Sequence, residues 1–456
     1  MTGSASELDV YMDTRFAGVL RFRDGRATFR YDPDYDLVPV SLSMPHWRGL
    51  EHKDQVVKPY LQGLLPDDAE TLDAWRRQFK VRSQHPFVLL REVGEECAGA
   101  VRFVRPGVDP NAAGDVVVQT EPDIERLIQQ LRVGPAPVSH PGVAAGQFSL
   151  AGAQTKFSLL RLSTGEWAMA SGVYPSTHIV KPALERARDD FTGKELCEHV
   201  CVTLARACDL LAPLSSFVRF GAETAIVVQR YDRRPAGDPS RPDLHARVHQ
   251  EDLCQALGVE PDRKYDPTIQ QIAGLIGTLS PADRESVAAA FGMGLMYNWL
   301  IAGTDAHAKN YSLLHALRPG APAPELVTRL APLYDVISYL PFRSSTPRLN
   351  RRPGEGDRSR VKLPMTINSQ VFANEVDRQD WMKVEAVLGL SEGFLVEFGR
   401  DLSDRLVARV PVVVAEVRAT VGGHEILDRL EEQLPEYVRQ CRHALTGGRP
   451  AGRGRR

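Results

Sequence analysis

The sequence predicts an α+β protein in which a β-rich half precedes an α-helical half. Residues 7–105 contain several runs in which apolar and polar side chains alternate, which is the period of a half-buried strand. Strand-like runs continue to about residue 232, together with a short amphipathic helix and one long helical pattern. From about Gln250 onward the apolar residues instead recur at helical spacing.

Residues 1–112 are predicted to form a small α+β domain. Asp24-Gly25 lies between two of its strand-like runs and is typical of a hairpin turn, because both residues tolerate a positive φ. The predicted helices and strands of this domain are Pro59–Pro66 and Asp68–Phe79, and Leu8–Met12, Arg15–Phe22, Ala27–Tyr31 and Ala98–Val104.

Residues 113–232 are predicted to form a second, β-rich lobe. A loop rich in Gly, Pro and Ala, residues 134–146, separates its first helix from its strands. The predicted helices and strands are Pro122–Arg132 and Phe191–Leu211, and Phe157–Leu162, Thr177–Lys181, Ser216–Phe220 and Thr224–Gln229.

Residues 233–446 are predicted to form a helical lobe, followed by a disordered basic tail at 447–456 that is rich in Gly and Arg. A basic loop at 343–362 also contains Gly and Pro. The predicted helices are Glu251–Leu257, Ile269–Leu279, Asp283–Ala302, Trp381–Leu388, Glu392–Arg409 and Glu425–Arg442.

The bulk composition is that of an ordinary globular protein with room for two or three domains. The chain has 456 residues, of which 43% are hydrophobic and 25% charged, with a formal net charge of −2. Global charge therefore gives no argument for nucleic acid or membrane binding. The longest apolar run is too short for the roughly 20 residues of a membrane helix, and no signal peptide is evident. The six cysteines make no disulfide framework, so a cytoplasmic protein is expected.

Asp305 and Asn310 follow the most apolar helical pattern of the chain. Ser280 and Pro281 supply a cap and a first-turn proline for this helix, and Gly303 fits the position after its end. Protein kinases place an Asp that accepts the substrate hydroxyl proton and, after four intervening residues, an Asn that holds Mg²⁺. The alternative is a turn in which both side chains merely satisfy backbone groups.

Three further segments contain residue types that phosphoryl transfer uses. Small residues in Phe148–Phe157 would let backbone N–H groups approach a phosphate, although an ordinary tight turn has the same pattern. Lys181 ends a strand, as the phosphate-binding lysine of kinases does, with Glu195 or Glu198 as its ion-pair partner; the alternative is a surface lysine. Asp335 lies in an apolar run, where it would either bind Mg²⁺ or cap a turn.

In this order, these segments resemble the HipA family, the toxin kinases of HipA/HipB toxin–antitoxin systems. The resemblance extends from the N-terminal domain, which includes Pro59–Pro66, to about residue 445. It implies a eukaryotic-protein-kinase-like two-lobe fold with an extra N-terminal α+β subdomain, and serine/threonine phosphorylation of a protein with ATP and Mg²⁺. The segments that carry it are Phe148–Lys156, Thr177–Pro182, Arg230–Arg234, Trp299–Asn310 and Pro332–Ile337.

The resemblance also implies a role for individual residues. Asp305 would be the catalytic base, Asn310 and Asp335 the magnesium ligands, and Ser149 the autophosphorylated serine. Ala306 stands where the family usually has glycine. The implied ATP site comprises a phosphate loop, a strand lysine, a hinge and residues near the catalytic loop: Ala151, Gly152, Ala153, Gln154, Thr155, Lys156, Lys181, Gln229, Arg230, Tyr231, His307, Lys309 and Tyr334.

The implied partners are a protein substrate and a small helix-turn-helix antitoxin like HipB, through which the complex would contact DNA. The substrate implied by the family is a tRNA-charging enzyme such as glutamate–tRNA ligase. Phosphate on Ser149 would add about −1.5 to −2 charge beside the phosphate loop, so autophosphorylation is expected to inactivate the protein.

Other functions remain open from the residues alone. A small-molecule phosphotransferase could use the same scaffold, since a fold does not determine its substrate. A non-catalytic regulator could contact DNA phosphates through the basic loop 343–362 or the Arg-rich tail, although solvated charge runs are common. A metal site could be suggested by three cysteines and a histidine of one segment, Cys197, Cys201, Cys208 and His199. No second pair lies nearby at zinc-site spacing, so the cysteines are expected to be buried helix residues.

Overall fold

The computed structural model describes residues 6–46, 49–112, 114–133, 152, 154–183, 192–320, 324–342 and 361–447. Its chain divides into two compact units, each assembled from separate stretches of sequence. Unit 1 comprises Met1–Pro182, Val218–Lys264 and Ser312–Arg329, and unit 2 comprises Ala183–Phe217, Tyr265–Tyr311 and Leu330–Arg456. The domain boundaries at residues 112, 232 and 446 stay predictions.

The strands lie in both units, and most of them belong to unit 1. They are β1 Ser6–Met12, β2 Arg15–Arg23, β3 Arg26–Tyr31, β4 Glu51–His52, β5 Val101–Val104, β6 Val116–Gln119, β7 Phe157–Arg161, β8 Trp167–Ala170, β9 His178–Pro182, β10 Ser215–Phe220, β11 Glu223–Gln229, β12 Arg233–Pro235, β13 His245–Arg247, β14 His249–Asp252, β15 Ser312–Leu317, β16 Leu326–Leu330, β17 Lys362–Ile367 and β18 Gln370–Phe372.

A helix lies at each position where one was predicted, although several bounds differ by a few residues, and α3 is a helix that was missed. They are α1 Asp54–Gly63, α2 Ala69–Gln78, α3 Pro86–Val93, α4 Glu121–Val133, α5 Lys194–Ala207, α6 Leu253–Leu257, α7 Ile269–Ile276, α8 Pro281–Leu300, α9 Arg378–Leu388, α10 Phe394–Val421 and α11 Glu425–Leu445. Among the described residues, none of these helices combines the length and apolarity needed to cross a membrane.

The first sheet of unit 1 has the order β4-β3-β2-β1-β5. Its β2–β3 hairpin turns at Asp24 and Gly25, whose φ angles of 51° and 78° are both left-handed. The hairpin predicted from this dipeptide is therefore confirmed, because a two-residue turn of this type needs positive φ at both positions.

The second sheet of unit 1 has the order β10-β11-β9-β7-β8-β6. Its central strand β9 contains Lys181, which pairs with Ile226 of β11 and is buried. Helix α4 caps the β10–β11 hairpin: Glu121 accepts a 2.7 Å hydrogen bond from the Gly221 N–H, and Glu125 one of 2.8 Å from the Ala222 N–H.

The prediction that the chain is helical after Gln250 was incomplete, because a third sheet with the order β14-β15-β16 lies there. Glu251, predicted to begin a helix, instead lies in β14 opposite Leu313. Its buried carboxylate accepts a hydrogen bond from the Leu42 N–H at 2.8 Å and lies 3.1 Å from His315 Nε2. Helix α6 begins one residue after Asp252, whose side chain caps it by accepting from the Gln255 N–H at 2.9 Å.

Helix α8 is largely buried within unit 2, and its start follows the predicted signals. Ser280 Oγ accepts from the Asp283 N–H at 3.3 Å, and Pro281 is its first residue. Its end differs from the prediction, because Ala302 rather than Gly303 takes the left-handed conformation, with φ 56°. Gly303 is needed for a different reason: a Cβ there would lie 2.7 Å from Asn298 Oδ1.

Helices α5, α8, α9 and α11 pack against α10. Helix α10 continues twelve residues beyond the predicted end at Arg409, through Pro411. The buried Glu385 of α9 caps its start by accepting from the N–H groups of Gly393 and Leu395, both at 2.7 Å. A carboxylate at a helix N-terminus satisfies backbone donors and complements the helix dipole.

Candidate active site

The loop after α8 folds back on itself so that Asp305 and Asn310 meet. Asn310 Nδ2 donates to the Asp305 carbonyl at 2.7 Å, and the His307 N–H donates to the same carbonyl at 2.8 Å. The Asp305 side chain is 58% exposed, whereas the side chains of His307 and Lys309 are buried. Ala306 has no positive φ, so the loop does not require the glycine usual in the family.

The Asp305 carboxylate is held through one of its two oxygens. Tyr265 donates its hydroxyl to Asp305 Oδ1 at 2.7 Å, and His307 Nε2 lies 3.6 Å from the same oxygen. The Tyr265 and His307 rings meet edge to face at 5.0 Å. Among the described residues, Oδ2 has no hydrogen-bond partner, so it can accept a proton. Sequence reasoning missed Tyr265, because nothing in the chain pattern links it to a residue forty positions later.

The Asp335 segment lies beside this loop within unit 2. Tyr334 donates its hydroxyl to the Lys309 carbonyl at 2.8 Å, and the Tyr339 N–H donates to the Ala302 carbonyl at 3.1 Å. Asp335 is half-buried and left-handed, with φ 52°. Aspartate tolerates this conformation better than most residues other than glycine, so it fits the turn that holds Asp335 beside the loop.

Asn310 and Asp335 offer the oxygen donors that Mg²⁺ prefers. The Asn310 amide is fixed through Nδ2, so its oxygen remains available as a ligand. No cluster of three or more His, Cys, Asp or Glu side chains suited to a metal occurs in the described part of the chain. Mg²⁺ is usually bound by only one or two protein oxygens together with substrate phosphates, so this donor set fits the ion.

The phosphate-binding candidates of unit 1 lie around Gly152, whose φ of 104° is left-handed. A Cβ at Gly152 would lie 2.7 Å from Lys156 Nζ, so only glycine lets this ammonium approach the backbone so closely. Gly152 also bridges to Pro66 of the N-terminal domain, and its carbonyl accepts from the Asp67 N–H at 3.4 Å. Gln154 and Thr155 lie between Gly152 and β7.

The predicted hinge follows β11. The Arg230 N–H donates to the Thr177 carbonyl at 2.9 Å, and the Tyr231 hydroxyl donates to Gln250 Oε1. Gln229 is exposed at the strand end, whereas the Arg230 side chain is buried. Any contact of Arg230 with nucleotide would therefore involve its backbone.

The Arg230 side chain belongs to a buried ionic network that joins the hinge to the N-terminal domain. Glu96 lies 3.1 Å from Arg230, 3.2 Å from Arg233 and 3.1 Å from Arg247. Burial would raise the pKa of the Glu96 carboxyl, but the three guanidinium groups outweigh it and hold the pKa well below its usual range. Asp232 also pairs with Arg230 at 2.8 Å, and the pKa of its carboxyl is lowered to about 2 against the effect of burial.

Several predicted residues lie outside the described ones: Ser149, Ala151, Ala153, the basic loop from 343 to 360 and the tail from 448. Glu195 and Glu198 are both buried on α5, and their pairing with Lys181 stays a prediction. Cys197, Cys201 and Cys208 are buried free thiols, as predicted for helix residues that pack in the core.

The Asp305–Asn310 loop of unit 2 has the residue types and the spacing of a kinase catalytic loop. Residues 148–410 match the HipA-like C-terminal domain, and residues 8–104 match the HipA N-terminal domain. The first match covers more than half of the chain, so the protein belongs to the HipA family. The resemblance that the motifs predicted is thereby confirmed.

Known relatives support this assignment over most of their length. The chain is 30% identical to the protein Y4mE of Sinorhizobium fredii over 400 residues, covering 84% of this chain and 86% of the relative. It is 26% identical to the serine/threonine-protein kinase toxin HipA of Shewanella oneidensis, covering 91% and 90%. These similarities confirm that the protein is a kinase.

A solved structure confirms the fold class. The chain superposes with a TM-score of 0.69 on a chain from the complex of HipA, HipB and operator DNA of Shewanella oneidensis MR-1. The match covers 97% of both chains at 22% sequence identity. The α+β, eukaryotic-protein-kinase-like fold predicted from the sequence is therefore correct.

Proposed function

We propose that this protein is a serine/threonine protein kinase that transfers the γ-phosphate of ATP to a protein hydroxyl. The observation that carries the proposal is the loop in which Asn310 is hydrogen-bonded to Asp305 while the Asp305 carboxylate stays exposed. An exposed carboxylate can accept the proton of an acceptor hydroxyl as that oxygen attacks phosphorus.

In this proposal, each residue of the site has its own role in phosphoryl transfer. Asp305 Oδ2 takes the proton, and Lys156 and Lys181 neutralise phosphate charge, since both belong to the ATP site that the family resemblance implies. The backbone of Gln229, Arg230 and Tyr231 faces the adenine, and His307, Lys309 and Tyr334 border the nucleotide. Asn310 and Asp335 would hold Mg²⁺, which neutralises the charge of the β- and γ-phosphates when bound.

The biological role we infer is that of a toxin controlled by an antitoxin. The similar chain of Shewanella oneidensis was solved with HipB and operator DNA, which supports a HipB-like helix-turn-helix partner and DNA contact through that complex. The proposal includes a cytoplasmic location and a tRNA-charging enzyme, such as glutamate–tRNA ligase, as the target.

Phosphoryl transfer to protein can be tested directly with γ-labelled ATP and a cell lysate. Labelled protein bands that require the wild-type enzyme are expected. Label that appears only in small molecules would instead favour a small-molecule phosphotransferase on the same scaffold.

The toxin role can be tested by growth arrest on expression of wild type and Asp305→Gln. Arrest by the wild type alone is expected, because the carboxylate is the proton acceptor. Equal arrest by both would favour a non-catalytic regulator that acts through DNA.

Self-inactivation at Ser149 is a separate part of the proposal. Ser149→Ala is expected to retain its transfer rate during prolonged incubation with ATP, while the wild type loses it. Loss at the same rate in both proteins would exclude phosphorylation of Ser149 as the cause.

A further inference from the structure

A cavity of about 640 Å³ lies beside the Asp305 loop, entirely within unit 2. This volume is in the range of sites that bury a sizeable ligand. Its walls come from the segment before α7, the catalytic loop, the residue Tyr339 and the β17–β18 hairpin. Tyr265, Thr304, Tyr339, Lys362, Pro364 and Val371 are among the lining residues.

Two lining residues connect the cavity to the proposed base. Thr304 directly precedes Asp305 in the chain, and Tyr265 donates its hydroxyl to Asp305 Oδ1 at 2.7 Å. A general base must lie within about 2.6–3.2 Å of the proton-bearing oxygen it serves. A molecule in the cavity can therefore contact Tyr265, whose hydroxyl is hydrogen-bonded to the carboxylate of the proposed base.

The lining of the cavity combines apolar and polar side chains, and a polypeptide offers matching groups of both kinds. In β17, Leu363 and Met365 face the core, while Lys362 and Thr366 are exposed. Val371 of β18 is 38% exposed and Tyr265 is 51% exposed, although each has a large apolar side-chain surface. Exposed aromatic and aliphatic side chains grouped at one concave surface are typical of a binding site.

The charge of the cavity points to one kind of occupant. Lys362 has no ion-pair partner within the described ranges, whereas the acidic lining residue Asp266 already interacts within the protein. An ammonium group without a partner at the edge of a concave site favours a ligand that carries a carboxylate.

We propose that this cavity binds the segment of the protein substrate that flanks the acceptor serine or threonine, and that it selects a segment with an acidic side chain near the hydroxyl. Val371 and Pro364 contact the segment's apolar atoms, and Lys362 pairs with its carboxylate. Tyr265 holds Oδ1 of the base so that Oδ2 faces the incoming hydroxyl. The inference rests on the proposed protein kinase activity and adds its specificity site.

The test uses the full-length protein, γ-labelled ATP and a library of extended peptides with a central Ser or Thr and varied flanking residues. Val371→Asp places a charge in the apolar wall and is expected to raise the KM for the preferred peptides at least about tenfold. Lys362→Glu is expected to reverse the preference from acidic to basic flanking residues. Val412→Asp, at a 45% exposed valine of α10, is the matched control and is expected to leave both properties unchanged.

The outcomes separate this inference from the proposed function. If the wild type transfers phosphate to no protein or peptide, the proposed function fails and the inference fails with it. If the wild type labels lysate proteins but no peptide, or if Val371→Asp and Lys362→Glu label the library as the wild type does, only the cavity inference is overturned. Melting temperatures of the variants show whether they remain folded. Partial unfolding would lower the apparent kcat, whereas neither a raised KM nor a reversed preference can arise from unfolding.

Discussion

Replacement of Glu96 by Gln should destabilise the protein strongly, because one carboxylate serves three buried guanidinium groups. Arg230, Arg233 and Arg247 lie within 3.2 Å of Glu96, and their side chains are at most 3% exposed. Removing one partner of a buried ion pair costs about 3–5 kcal/mol, because the other charge remains buried without compensation. Gln is nearly isosteric and can keep the Ser176 hydrogen bond, so the loss reports charge rather than packing.

Urea unfolding followed by tryptophan fluorescence would measure this effect. If the free energy of unfolding falls by about 3 kcal/mol per molar urea, the urea concentration at the unfolding midpoint should be lower by about 1 M or more in Glu96→Gln. Glu92→Gln is the matched control, since Glu92 pairs with an exposed Arg105 and such surface pairs contribute about 1 kcal/mol or less. Equal midpoints for the two variants would refute the account of the network.

The same network predicts how stability depends on pH. The folded-state pKa values of Glu96 and Asp232 are depressed, that of Asp232 to about 2, below the usual values of about 4 in an unfolded chain. Their stabilisation is therefore fully present above about pH 5 and is lost as the pH falls through the folded-state values. The difference in midpoint between wild type and Glu96→Gln should shrink between about pH 5 and pH 2, and a constant difference would contradict this cause.

Three further substitutions, one of them a control, test how unit 2 is built. Gly303→Ala should lower the free energy of unfolding by about 1–3 kcal/mol, because its Cβ would lie 2.7 Å from Asn298 Oδ1. Gly274→Ala, in a helix with nothing near the added Cβ, should stabilise by up to about 1 kcal/mol, and the opposite order would contradict the close-contact explanation. Glu385→Gln should cost about 1–3 kcal/mol, since its carboxylate caps the start of α10, and an unchanged thermal midpoint would show that the cap contributes little.

Local signals in the sequence predicted much of the fold. Ser280 and Pro281 marked the start of α8, and Asp24-Gly25 marked the β2–β3 hairpin, because caps and turns depend on adjacent residues. Strand β15 was missed because its partner β14 lies some sixty residues earlier in the chain, and β16 was missed with it because it pairs with β15. Gly303 was assigned to a helix cap, but its requirement comes from the tertiary contact with Asn298.

The same distinction between local and distant contacts explains which residues of the candidate site could be predicted. The Asp305–Asn310 spacing was visible because both residues lie on one short loop, and the structure joins them by a hydrogen bond. Tyr265 and Glu96 could not be found, since their partners are distant in sequence and neither lies in a recognisable pattern.

The central claim is that the Asp305 carboxylate accepts the proton of the acceptor hydroxyl. Its most direct measurement is the single-turnover rate of phosphate transfer from labelled ATP for wild type, Asp305→Asn and the matched exposed variant Asp404→Asn. Asp305→Asn should reduce the rate by about 10²–10⁴ and Asp404→Asn should not change it, as expected for loss of a general base. Transfer by Asp305→Asn at the wild-type rate would contradict the account.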